Sequence, residues 1–484
     1  MGETIVMKTI DRIKTYLLTI LILISIIQVG ILWNNKDEGF PFSLAEKIFN
    51  NSDEVEPIER DRFFMPHKIV LSSETESRWI LRKNDKFYDA VWEEAKLYLW
   101  EIFNNQPDEI IEKNEWHHIV SKKAFVFEFY NKIDCELLGY YLNISEIPNI
   151  EPEGVKKVAI LPWENINYSS NTIYIFDKEK IYKYVLETTN KNMNREAFGE
   201  VLKYVENNKQ KRVYSVLKEF DPQNVFKMPI KQDVLLAVKG DKFNAFEKTS
   251  SVVPENFKEE NTEEKINQIL GLERGNLDVS VDEENTIVLR DQYNMYWIYE
   301  NGIVEYKYLR KTDKKNKGKI EEAYKTAMEF ILNEKRNLIG NNEIFLVNVE
   351  DSNEEYYEIF FDYTYNGYPI KIKEDKKTDK IKNAVAIKAN KNKVLECLVI
   401  EKSFYSTGEK QNYNVRFQSL IENDEFNDIK NVLNEEKNDK KMCDINIVYE
   451  INPFVRKETI VPVWLIRIED GREYKIALNK EGEE

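Results

Sequence analysis

Between Tyr16 and Trp33 the chain reads YLLTILILISIIQVGILW, eighteen residues without a charge. As a helix rising about 1.5 Å per residue, this stretch would be about 27 Å long, close to the hydrocarbon thickness of a bilayer. Lys8, Arg12 and Lys14 precede it, and Asp37 and Glu38 follow it. Cationic flanks stay cytoplasmic, so the pattern predicts a cytoplasmic tail (1–15), a transmembrane helix (16–33) and an extracytoplasmic remainder. Tyr16 and Trp33 stand at the two ends, where aromatic rings favour the membrane interface. A cleaved signal peptide would want a shorter apolar run and a small-residue cleavage site, which Trp33-Asn34-Asn35-Lys36-Asp37 does not offer. A lipoprotein would need a Cys just after the run, and the first is Cys135. A single uncleaved anchor is therefore expected, with Met7 as an alternative start. Ser25 and Gln28 lie three apart and share one helix face. There they can hydrogen-bond to another membrane helix, or else Ser25 bonds its own backbone and Gln28 snorkels outward.

The charge is unevenly divided. The 484 residues include 70 Lys and Arg against 86 Asp and Glu, a net charge of −16. Residues 1–35 carry +1, which leaves −17 on the part expected outside. An acidic exported region argues against nucleic acid as a partner, since phosphate binding needs a basic face. The 3 Cys, at 135, 397 and 443 without a Cys-x-x-Cys, exclude a disulfide scaffold and a Cys-rich zinc module.

Beyond the anchor the pattern is α+β: antiparallel sheets packed with helices in several domains. Residues 34–60 read as a juxtamembrane segment and 61–190 as a first α/β domain. Strands are expected at 68–72 and 78–82. An amphipathic helix is expected at 86–103, with apolar positions from Phe87 to Phe103 at a period near 3.6 and Asp85 as its N-cap. Short aromatic and β-branched runs predict strands at 124–130 and 157–163 and a hairpin at 172–186. A middle α+β domain (191–310) has a helix near 194–206, strand character at 212–218, and a hairpin at Asn301-Gly302. The basic segment 311–318 reads as a linker to a C-terminal α+β domain, 319–484. There a helix followed by an antiparallel meander occurs twice, which suggests a duplicated module.

No motif in the sequence specifies catalysis. It contains no Gly-x-Ser-x-Gly elbow, Walker A loop, Gly-x-Gly-x-x-Gly or His-Glu-x-x-His. The vicinal pair His117-His118 points in different directions on a helix or strand, which makes it a poor two-ligand metal clip. His67, after Pro66, reads as structural, and Glu93-Glu94 as a solvated helix face. The 27 Tyr and 25 Phe suit strand-rich cores. On an exported domain some of them could line a peptide or glycan groove.

Several dispersed segments resemble one family. The opening MKTIDRIKTYLLTILILISIIQVGILW runs into Gly39-Phe40-Pro41 and an α/β ectodomain. The segments QYNMYWIYENGIVEY (292–306), YTYNGYPI (363–370) and PVWLIRIEDGREY (462–474) are also similar to it. Together they resemble the YycH regulatory proteins of Gram-positive bacteria, and the last module also resembles the companion YycI. The resemblance implies a single-span membrane protein beside the sensor histidine kinase YycG (WalK) and a YycI-like accessory protein, adjusting a kinase that controls cell-wall metabolism. It implies no catalytic residue, cofactor or metal, hence no enzyme. The residues it points to are one face of the anchor: Ser25 and Gln28, with Leu18, Leu21 and Leu32 nearby on the helical wheel. Two other readings compete with it: an exported wall glycan- or peptide-binding module without kinase contact, and an enzyme of wall turnover.

Overall fold

The computed structural model describes residues 64–478 apart from 74–76, 145–151, 165–169, 188–194, 208–211, 224–226, 238–245, 250–265, 267–269, 271–277, 283–284, 312–313, 335, 341, 352, 374–380, 407–412, 414 and 437–439. The expected membrane span, 16–33, lies outside the described residues. Among the described residues no helix is long and apolar enough to cross a membrane.

The first sheet has nine strands: β1 (Lys68–Ser72), β2 (Arg78–Leu81), β3 (Glu109–Glu112), β4 (Ala124–Asp134), β5 (Gly154–Leu161), β6 (Ser170–Phe176), β7 (Lys180–Glu187), β8 (Arg212–Ser215) and β9 (Leu235–Ala237). Their spatial order is β3-β7-β6-β5-β4-β1-β2-β8-β9, antiparallel throughout. Strand β4 shows how the sequence builds this sheet. Side chains alternate along a strand, so AFVFEFY sends Phe125, Phe127 and Phe129 to one face and Val126, Glu128 and Tyr130 to the other. The Phe face is covered by helix α1 (Tyr88–Ile102), whose buried stripe is Tyr88, Val91, Trp92, Ala95, Tyr98, Leu99 and Ile102. Trp92 lies 5.8 Å from both Phe127 and Phe129. The opposite face carries α2 (Trp116–Ser121), with Trp116 stacked on Phe176 at 5.2 Å. Helices α3 (Cys135–Tyr141), α4 (Arg195–Asn207) and α5 (Val216–Phe220) complete this part.

Strand β10 (Phe246–Thr249) leaves that sheet and lies between two strands from late in the chain, β20 (Ser403–Ser406) and β22 (Glu458–Ile460). The second large sheet has twelve strands. Before the basic segment come β11 (Asp278–Val281), β12 (Ile287–Arg290), β13 (Asn294–Ile298) and β14 (Ile303–Tyr308). After it come β15 (Glu343–Glu350), β16 (Tyr357–Tyr365), β17 (Tyr368–Ile372), β18 (Val385–Ala389) and β19 (Val394–Ile400), then β21 (Met442–Ile451), β23 (Pro462–Ile468) and β24 (Glu473–Ala477). The order is β11-β12-β13-β14-β19-β18-β16-β17-β21-β23-β24, with β15 paired to β16. Strand β14 thus pairs with β19 across the 311–318 segment. The two helix-plus-meander passages meet at β17 and β21, which run parallel. Helix α6 (Ile320–Glu329) continues through a π turn (Phe330–Glu334) into α7 (Arg336–Ile339), and α8 (Phe417–Ile421) and α9 (Asp424–Glu435) precede β21.

The mixed α+β architecture with large antiparallel sheets agrees with the sequence reading. Several local expectations are corrected. The carboxylate of Asp85 does not cap α1, which starts after Phe87 without a side-chain cap. Asp85 instead accepts from the Arg82 amide at 2.5 Å and closes the preceding turn. The expected strand 212–218 ends at Ser215, and Val216–Phe220 turns helical. At Asn301-Gly302 the hairpin forms with positive φ (+89°) at Gly302 alone, a type I turn followed by a left-handed glycine. At Asn366-Gly367 both residues have positive φ (+52° and +76°), the two-residue type I′ turn.

Candidate functional site

The two large sheets meet where charged residues interrupt apolar strands. Lys68 on β1, Glu128 on β4 and Lys157 on β5 stand side by side across three neighbouring strands. Adjacent opposite charges in such a row attract. Lys68 Nζ is 3.2 Å from Glu128 and 3.0 Å from Asp444 of the second sheet. Lys157 Nζ is 3.4 Å from Glu128 and 3.0 Å from Asp233. The backbone also ties the segment ahead of β9 to the second sheet: the Lys231 amide donates to Met442 O at 2.9 Å, and the Met442 amide donates to Pro229 O at 2.7 Å.

The cluster continues around Tyr130, at the far end of the same β4 face. Arg467 lies 3.8 Å above the Tyr130 ring and Lys371 lies 4.2 Å from it. Arg467 Nε donates to Glu473 at 2.6 Å, and Lys371 Nζ donates to Asp362 at 2.9 Å. Phe345 of β15 packs on Tyr130 at 5.4 Å, and Asn131 Nδ2 donates to Val347 O at 2.8 Å. Lys156 has no carboxylate in the cluster as a hydrogen-bond partner. Its ammonium donates to the Phe129 and Tyr130 carbonyls.

The titration behaviour follows from this arrangement. Burial alone would raise Glu128, but the ammonium groups of Lys157 and Lys68 hold it at about 2. Burial likewise works against Asp444, and Lys68 and Arg467 override it, so its carboxyl lies well below the usual range. Lys156 moves the other way: burial, reinforced by Arg467, lowers it well below an ordinary lysine. His67 sits beside the cluster, with its amide donating to Glu128 O at 2.8 Å. Both of its ring nitrogens are shielded from solvent and have no hydrogen-bond partner. Burial, then the charge of Lys68, lowers its pKa well below the ordinary value. The ring is therefore neutral at physiological pH.

Next to this junction is a cleft of about 450 Å³. Its apolar lining includes Met65, Pro66, Trp92, Ile344, Phe345 and Pro369. Lys83, Asp89, Glu93 and Glu343 supply charge around it. Asp89 is paired with Lys83 at 2.6 Å and Glu93 with Lys96 at 2.5 Å. Glu343 accepts a hydrogen bond from Thr364 Oγ1 at 3.1 Å and forms no ion pair among the described residues. The volume is within the range of small-ligand and side-chain pockets.

The anchor-face residues Leu18, Leu21, Ser25, Gln28 and Leu32 lie outside the described residues. The rings of His117 and His118 lie 3.8 Å apart, in contact rather than pointing apart, and His117 Nδ1 meets Asn114 O at 2.7 Å. Among the described residues no group of three or more His, Cys, Asp or Glu is placed to hold a metal ion. Cys135, Cys397 and Cys443 form no disulfide, and burial raises the pKa of Cys135. The charged residues of the junction escaped the sequence reading. Their signal was present: a single charge inside an otherwise apolar strand, as in KIVLS, AFVFEFY, YPIKI and PVWLIRI.

No protein-family profile matches the chain, and no curated protein matches its sequence. Among solved structures, the crystal structure of YycH from Bacillus subtilis is similar to it. The identity is 13 %, the match covers 88 % of this chain and 98 % of that one, and the TM-score is 0.52. At that identity the likeness is one of fold, and it extends over nearly all of both chains.

Proposed function

We propose that this chain is a membrane-anchored, extracytoplasmic regulator that binds a sensor histidine kinase of the YycG (WalK) type, changes its activity and so controls cell-wall metabolism. The observation that carries the reading is the fold shared with YycH over 88 % of this chain, in agreement with the dispersed sequence resemblance. On this reading residues 16–33 cross the membrane once, with the N-terminus cytoplasmic. The face of Leu18, Leu21, Ser25, Gln28 and Leu32 meets a helix of the kinase or of a YycI-like accessory protein. The protein acts by contact and not as an enzyme.

Such a regulator binds two kinase conformations with unequal affinity. A difference of about 1–3 kcal/mol changes the balance about 5- to 150-fold. Confinement to one membrane raises the effective concentration of weakly interacting helices. The test is co-purification from membranes with the kinase, comparing the wild-type chain with one whose residues 1–35 are exchanged for an unrelated anchor. Recovery of the kinase with the wild type and its loss with the exchanged anchor is expected. Full regulation in cells by an anchorless ectodomain would overturn the role given to the anchor. Absence of the kinase from both preparations would overturn the function.

A further inference from the structure

We propose that the cleft between α1 and β15 receives an extended segment of a partner protein, which pairs with the free edge of β15 and sets a lysine or arginine against Glu343. The inference rests on the geometry of the cleft and goes beyond the kinase reading. Strand β15 forms a backbone ladder with β16 and with no other described strand. Asn131 of β4 meets its second edge midway along, at Val347 O, which leaves the first residues, Glu343 to Phe345, as the open part of that edge. Glu343, Ile344 and Phe345, at the start of β15, line the open cleft. An unpaired strand edge beside an apolar cleft is the arrangement by which sheets accept an added strand: the backbone supplies affinity and side-chain pockets supply specificity.

Charge complementarity selects the occupant. Two of the three acids at the cleft are already neutralised, Asp89 by Lys83 and Glu93 by Lys96. Glu343 is not, and Thr364 orients its carboxylate. Side chains two apart share a strand face, so Glu343 lies on the same face as Phe345. A segment carrying one cation flanked at i−2 and i+2 by apolar residues therefore complements it. A glycan would leave the strand edge unpaired and the carboxylate without a counter-charge.

The test uses the full-length chain in detergent micelles and two fluorescent peptides, Thr-Val-Thr-Lys-Thr-Val-Thr and its Glu-centred counterpart, followed by anisotropy. At least tenfold tighter binding of the Lys-centred peptide is expected, with the preference reversed in Glu343→Lys. That variant changes an exposed side chain, and its cooperative unfolding confirms that it is folded. N-methylation of the third and fifth peptide residues, or of the second, fourth and sixth, should abolish binding in one pattern and spare it in the other. Equal binding of the two peptides, binding of neither at millimolar concentration, or a preference unchanged in Glu343→Lys would overturn the proposal. It is also overturned if Glu343→Lys dissolves a self-associated form without added peptide, which would make the occupant a second copy. Displacement of bound peptide by an uncharged wall oligosaccharide, with no difference between Lys- and Glu-centred peptides, would assign the cleft to glycan instead.

Discussion

Lys371 and Asp362 form a 2.9 Å ion pair in which the carboxylate side chain is 0 % exposed and the lysine 9 %. The other carboxylate oxygen accepts from Asn383 Nδ2 at 3.0 Å and from the Ala384 amide at 3.1 Å. The aspartate thus meets three donors, which offsets the desolvation of a buried charge. Breaking one side of such a pair leaves a bare charge in the interior. Asp362→Asn is expected to cost about 3–5 kcal/mol. Lys371→Met should cost a comparable amount. The double variant should be more stable than either single one, because no unpaired charge remains. Urea unfolding of the four proteins measures the cycle, and simple additivity would refute the coupling.

Acid should destabilise the sheet junction in two stages. The pKa of His67 is lowered in the folded protein, so below the ordinary value of 6.5 the unfolded chain takes up a proton that the folded chain does not. Stability therefore falls as pH drops below about 6.5. Glu128 is held at about 2 against a reference of 4.5, so its stabilising contribution is present above pH 4.5 and is lost as pH falls from there toward about 2. Denaturation midpoints between pH 7.5 and 3 should show both losses. In His67→Leu the upper one should vanish, and a variant that keeps it would place that titration elsewhere.

Trp92 of α1 is 1 % exposed and packs against β4 and α3, with its ring 6.4 Å from Tyr141. Trp92→Ala removes a large buried ring from the core between α1 and the first sheet. A loss of about 3–5 kcal/mol is expected from urea unfolding. A loss below about 1 kcal/mol would mean that this core collapses around the cavity.

Asn423 caps α9 by accepting from the Glu425 amide at 2.8 Å and the Phe426 amide at 3.4 Å. Asn423→Ala should lower stability by about 1 kcal/mol. Asn423→Asp should restore most of that, because a carboxylate accepts the same bonds and favours a helix N-terminus. Thermal unfolding of the pair tests the cap, and equal midpoints for the two would disprove it.

Gly367 holds φ at +76°, and a Cβ added there would meet Arg82 Cβ at 3.1 Å. The turn thus packs against the residues just ahead of α1, where the guanidinium of Arg82 lies 4.4 Å over the Tyr368 ring. Gly367→Val should destabilise by more than about 1 kcal/mol, through both the disfavoured backbone conformation and the contact. An unchanged melting profile would show that the turn rearranges freely.

The parts of the fold that could be read from the sequence are those written in local periodicity. The helices expected at 86–103 and near 194–206 emerge within two residues of those bounds because each buries one face, and the strand at 68–72 because its short apolar run is buried throughout. Strand β3 escaped notice because three of its four residues are exposed. The pairing of β10 with β20 and β22 had no local signature, since its partners lie more than 150 residues away in the chain. The site was hidden for the same reason. Lys68 and Asp444 each look like an isolated charge in an apolar strand, and only the tertiary fold brings them to 3.0 Å. Glu343 is one acid among many until Thr364 and the strand edge beside it define its setting.

Ahead of β1, the ring of Phe64 stacks on Tyr141 of α3 at 5.0 Å and meets Tyr324 of α6 edge-on at 5.8 Å. Four residues later the chain enters β1, which has β4 on one side and β2 on the other. A pull applied at Phe64 therefore acts on a wedge between two helices and then on an interior strand. The resistance is shear of two hydrogen-bonded ladders at once rather than the peeling of an edge. Load applied at residue 64 enters the middle of the first sheet, and single-molecule extension from that residue should register it as a high rupture force.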